Sequence, residues 1–111
     1  MFPISTELIK EKLGLRVLNE AGERVAKAGY VCDLLSWVMG RVEADSAWVT
    51  VMTNVNVIAV ASLRDVACVI VSEGADVPEQ VIARARENSI NLYATDLNSY
   101  EAVERLVNIR N

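Results

Sequence analysis

The chain has 111 residues, 52% of them hydrophobic and 23% charged, with eleven basic and fifteen acidic side chains and a net charge of −4. That length fits one domain, which buries roughly two-thirds of the surface its unfolded chain exposes. The apolar fraction excludes a disordered tail, the acidic balance argues against nonspecific nucleic-acid binding, and the absence of histidine removes the commonest general base and metal ligand.

The first residues, Met1 to Ser5, have no basic stretch leading into an apolar run, so no signal peptide is expected. Glu7 to Leu13 places Leu8, Ile9 and Leu13 at helical spacing, with Ser5 or Thr6 as cap and Gly14 as stop. Leu15 to Leu18 is a short strand closed by a turn at Ala21-Gly22, and Val25 to Val31 reads as extended. Asp33 is placed to cap a helix over Leu34 to Met39 that Gly40 ends. That helix is apolar nearly all round, so it belongs in the core or at an interface.

The second half is more regular. Ala47 to Met52 reads as a strand, Asn54 caps a helix through Leu63, and Ala67 to Val71 is a second strand of continuous apolar, β-branched character. Pro78 suits a first helical position ahead of Glu79 to Glu87, where Val81, Ile82 and Ala85 point inward. Asn91 to Ala94 is the last strand. Asn98 then opens the final helix, with Glu101 as its capping-box partner and Ala102, Val103, Leu106 and Val107 on one face.

Strands that alternate with helices and are apolar on both faces predict an α/β fold. We expect one domain over 1–111, a mostly parallel sheet with helices packed on its faces. From Ser46 to Leu63 no residue is charged, a length close to the roughly 18 residues of a membrane span. Thr50, Thr53, Asn54 and Asn56 interrupt it, and a buried strand followed by a buried helix explains it better, so no membrane contact is expected. Cys32 and Cys68 have no CxxC partner and read as reduced, buried thiols of a cytoplasmic protein.

In a parallel sheet, ligands bind beyond the carboxyl ends of the strands, where helix N-termini present free N–H groups. Four loops should gather there, carrying Asp33, then Thr53, Asn54 and Asn56, then Glu73 and Gly74, then Thr95 and Asp96. Each is also explained by capping and turn formation, but four at one edge favour a shallow polar site. Cys32 at a helix start would be activated by the helix dipole, were Asp33 not beside it and a base not lacking. A metal-dependent phosphotransferase or hydrolase built on Asp33, Glu73 and Asp96 is the enzymatic alternative. No calcium-type loop, GxxxxGK[ST] or GxGxxG occurs, so no catalytic residue, metal or cofactor is expected. Trp48 reads as core, whereas Leu34, Trp37 and Met39 on the short apolar helix are candidates for a homodimer interface.

The run from Gly29 to Gly40, GYVCDLLSWVMG, resembles the segment GYVSDLLSxVMG of small stand-alone DRTGG-domain proteins, and Thr95 to Ala102 resembles that family's closing TxxxTYE-type turn and helix. The resemblance spans most of the chain. It implies an α/β domain similar to the N-terminal domain of HPr kinase/phosphorylase, related to domains found within some phosphotransacetylases and CBS-containing pyrophosphatases. It further implies an accessory regulatory or dimerising domain. We accordingly expect a non-catalytic module that senses a nucleotide, a small anionic metabolite or a partner protein. The kinase part of HPr kinase, with its phosphate-binding loop, is absent from these residues. The chain also lacks an Asp-Arg-Thr-Gly-Gly run, and Thr53-Asn54-Val55-Asn56 falls where the resemblance implies an acid and an arginine.

Overall fold

The computed structural model describes residues 2–110, so Met1 and Asn111, the ends of the expected domain, lie outside the described residues. The first half runs β1 (Ile4–Ser5), α1 (Thr6–Leu13), β2 (Arg16–Asn19), β3 (Val25–Ala26), β4 (Ala28–Val31) and α2 (Leu35–Arg41). The second half runs β5 (Ser46–Thr50), α3 (Val55–Arg64), β6 (Cys68–Val71), α4 (Glu79–Glu87), β7 (Leu92–Ala94) and α5 (Ser99–Val107). Local chemistry sets most boundaries. Ser5 accepts the Leu8 N–H at 3.1 Å, and Gly14 ends α1 at φ 63°. Asn54 accepts the Asn56 N–H at 2.8 Å, and Asn98 and Glu101 form the reciprocal capping box of α5.

Five strands form one sheet in the order β2-β7-β6-β5-β4, parallel except for β2, which runs antiparallel to β7. Each crossover from β4 to β7 steps one strand in the same direction, so right-handed connections put α2, α3 and α4 on one face. Helices α1 and α5 cover the other. Strand alternation divides the core accordingly. Trp48, Val69, Val71 and Leu92 pack with α2, α3 and α4, while Ala47, Val49, Cys68, Ile70 and Tyr93 pack with α1 and α5. Trp48 is fully buried as expected, and its indole N–H donates to the Cys32 carbonyl at 3.0 Å. The expected class, a mostly parallel α/β sheet with helices on both faces, is the one observed.

Three expectations need correction. The extended run Val25 to Val31 is two strands, β3 pairing with β1 in a separate two-stranded sheet and β4 with β5. Asp33 does not cap α2, whose N-cap is Leu34 without a side-chain hydrogen bond. Gly40 lies inside α2, which continues to Arg41. Helix α2 buries Val38 and leaves Leu34, Trp37 and Met39, the interface candidates, exposed, and Val107 of α5 is also exposed.

The amino-terminal edge of the sheet is clamped by Arg24. Its guanidinium donates to Asp45, to Asp65 and to the Val66 carbonyl, while its backbone exchanges hydrogen bonds with Thr6. Asp45 and Asp65 both take left-handed conformations, at φ 63° and 54°.

Candidate functional site

The carboxyl ends of β4, β5, β6 and β7 open side by side, because these strands are parallel neighbours. Their loops therefore form a row rather than a ring, one strand spacing of about 4.8 Å apart. Asp33 and Asp96, at its two ends, are separated by three such steps, or about 14 Å.

Within the row the sequence-derived residues fall into two groups. At the β4–β5 end, Asp33 Oδ1 accepts both the Thr50 hydroxyl and the Val51 N–H, each at 2.8 Å. Thr50 Oγ1 in turn accepts the Met52 N–H at 3.2 Å. Thr53, Asn54 and Asn56 follow at the mouth of α3, where Asn54 is engaged as the cap.

At the β6–β7 end the packing is closer. The Ser72 and Ser99 hydroxyls lie 2.7 Å apart. Glu73, at φ 68°, turns its carboxylate onto the Ser99 N–H at 2.8 Å, and its own N–H donates to the Leu97 carbonyl at 2.7 Å. Gly74, at φ 64°, donates to the Thr95 carbonyl at 3.0 Å, and a Cβ there would come within 3.3 Å of the Asp96 carboxylate. Two successive left-handed residues, one of them not glycine, are a costly backbone choice that packing must enforce.

The third carboxylate, Asp96, pairs with Arg16 of β2 at 3.0 Å. Asp33, Glu73 and Asp96 thus serve three separate contacts, and among the described residues no group of three His, Cys, Asp or Glu side chains is placed to hold a metal ion. Cys32 is half-buried, with its thiol 3.8 Å from the Leu34 carbonyl. Of the interface candidates, Trp37 stacks under the Arg41 guanidinium, 3.8 Å from the ring centroid.

Several neighbours escaped the sequence reading. Beside Thr95 and Asp96 lies a cavity of about 440 Å³, also lined by Gly14, Arg16, Glu101 and Arg105. Tyr100, in the first turn of α5, is 81% exposed. Ser72 and Ser99 join the two loops. Arg16 and Arg105 reach the site from β2 and α5, a long-range proximity that spacing does not encode. Tyr100 was legible only as part of the closing Ser-Tyr-Glu pattern.

The chain and its fold have known relatives. The family described as the DRTGG domain matches residues 9–109. No curated protein matches the chain. A solved structure of similar fold is that of the CBS and DRTGG domains of the regulatory region of Clostridium perfringens pyrophosphatase, complexed with its activator diadenosine tetraphosphate. The likeness has a TM-score of 0.76 at 16% identity and covers 92% of this chain but only 45% of that one.

Proposed function

Because the chain belongs to the DRTGG-domain family, we propose that it is a non-catalytic regulatory module, a cytoplasmic homodimer that takes a nucleotide or small anionic metabolite at the carboxyl edge of its sheet. The observation that carries this reading is the β6–β7 end of the row. There Thr95, Asp96, Glu101 and the guanidinium-bearing Arg16 and Arg105 line one cavity, and the exposed Tyr100 precedes Glu101 in the first turn of α5. A pair of arginines suits a phosphate, and the exposed ring of Tyr100 suits a base. The pyrophosphatase regulatory region, 45% of which is matched by this chain, is complexed with a nucleotide activator, which supports the same ligand class here. Asp33, Glu73 and Asp96 are already engaged by Thr50, Ser99 and Arg16, which weighs against the catalytic alternative.

The test is a thermal-shift series with AMP, ATP, diadenosine tetraphosphate and inorganic phosphate. A ligand at a hundredfold excess over its Kd adds about 2.7 kcal/mol. The proposal expects a rise in Tm with at least one nucleotide, abolished in Arg16→Ala/Arg105→Ala and weakened in Tyr100→Ala. A flat response to all four probes at millimolar concentration would contradict it and favour a partner protein as the thing sensed.

A further inference from the structure

Resting on the anion-site reading above, we infer that Asp96 is a built-in competitor of the ligand: its carboxylate holds the Arg16 guanidinium that a phosphate would engage, and it gives way when the ligand binds. Arg16 Nη1 donates to Asp96 Oδ1 at 3.0 Å, and both residues line the same cavity. A guanidinium takes a phosphate best through two parallel N–H bonds. A carboxylate on Nη1 occupies one of the donors such a fork uses, and sets a negative charge beside the incoming oxygens, where like charges repel.

The surrounding turn is closed without this carboxylate. Thr95 Oγ1 accepts the Leu97 N–H at 3.2 Å, the caps of α5 are Asn98 and Glu101, and the two loops are joined through the Glu73 and Gly74 N–H groups. Gly74 leaves the carboxylate its seat, since a Cβ there would come within 3.3 Å of Oδ1. The other charges of the cavity are disposed differently. Glu101 turns Oε1 back onto the Asn98 N–H at 3.2 Å. Among the described residues Arg105, one turn further along α5, makes no ion pair. A phosphate therefore meets Arg105 ready and Arg16 masked, and gains the second guanidinium by displacing Asp96. The mask is a light one. It is a single hydrogen bond between side chains 53% and 83% exposed, and exposed pairs of this kind change an equilibrium by about fivefold at most. Asp96 thus sets the affinity of the site without closing it.

Isothermal titration calorimetry of the whole chain with inorganic phosphate and with AMP tests this, with circular dichroism as a check on folding. Asp96→Asn should lower the Kd of whichever probe binds by about two- to fivefold. Glu101→Gln removes the same charge from the same cavity without releasing a guanidinium, and should gain less than half as much. Unchanged or weaker binding by Asp96→Asn, or an equal gain in Glu101→Gln, overturns the competitor role and leaves the anion site standing. Failure of both probes to bind wild type and Asp96→Asn at millimolar concentration overturns the anion site, and the competitor with it. Should Asp96→Asn fail to fold, Asp96→Ser removes the same charge and decides on the same criteria.

Discussion

Asp33, just past the end of β4, and Thr50, the last residue of the neighbouring parallel strand β5, are joined by a 2.8 Å hydrogen bond from the threonine hydroxyl to the carboxylate, which also takes the Val51 N–H. The pair ties the ends of β4 and β5 together just where both chains leave the sheet. Thr50 is 1% exposed, so its hydroxyl has no water to fall back on.

Asp33→Ala is therefore expected to cost about 1–2 kcal/mol, the penalty of stranding a buried donor. Asp33→Asn keeps an acceptor oxygen and should cost less than half as much. In the Thr50→Val background Asp33→Ala should lose part of its effect, a coupling of about 1 kcal/mol. Urea denaturation of the four proteins measures it, and purely additive costs would mean that the two side chains act independently.

How much of this was legible in the sequence depends on whether the deciding contact was local. The Asn98–Glu101 capping box, the Asn54 cap and the Gly14 stop are written within a few residues, and all three stand as read. Asp33 has the residue type and position of a cap, but its acceptor was claimed by a hydroxyl on the next strand, a competitor that spacing along the chain does not reveal. The run Val25 to Val31 looks like one strand because β propensity continues through it. The break comes from Lys27, whose N–H goes to the Asp45 carbonyl. Buried strands were recognisable from their unbroken apolar runs. The arginines of the candidate cavity were not, because β2 and α5 meet only in the folded sheet.

Two glycines make opposite predictions. Gly40 sits inside α2 with nothing within 4 Å of a built Cβ, so Gly40→Ala should stabilise by about 0.5–1 kcal/mol through helix propensity. Gly74 is held at φ 64° with Asp96 close by, so Gly74→Ala should destabilise by about 1–2 kcal/mol. Thermal melts that moved both variants in the same direction would contradict the backbone assignments.

The Arg24 clamp makes stability depend on acid. The hydrogen bond from Arg24, with help from Lys27 and against a smaller effect of burial, holds the Asp45 carboxyl below its ordinary value of 3.8. A carboxyl with a lowered folded pKa contributes stability that is complete above its unfolded value and is lost as pH falls through the folded one. Wild type should thus exceed Asp45→Asn in urea midpoint at neutral pH, and the difference should close as pH drops below 3.8. A difference that persisted at lower pH would assign the effect to packing instead.

The two thiols should separate cleanly. Burial pushes the Cys68 thiol up to about 12, and it lies wholly inside the α1–α5 face of the core. Cys32 is half-buried at the strand-end row. Ellman's reagent at pH 8 is expected to consume one thiol in the native protein and both in denaturant. Prompt reaction of both thiols without denaturant would show that the core opens more readily than its packing implies.

The central claim is that the carboxyl edge binds an anionic ligand while the amino edge only holds the fold together. An amide-resolved NMR titration with diadenosine tetraphosphate tests it most directly. The account predicts shifts concentrated at 72–74 and 95–101 and at Arg16, with Arg24, Asp45 and Asp65 unmoved. Shifts gathered around Arg24, or none at saturating ligand, would contradict it.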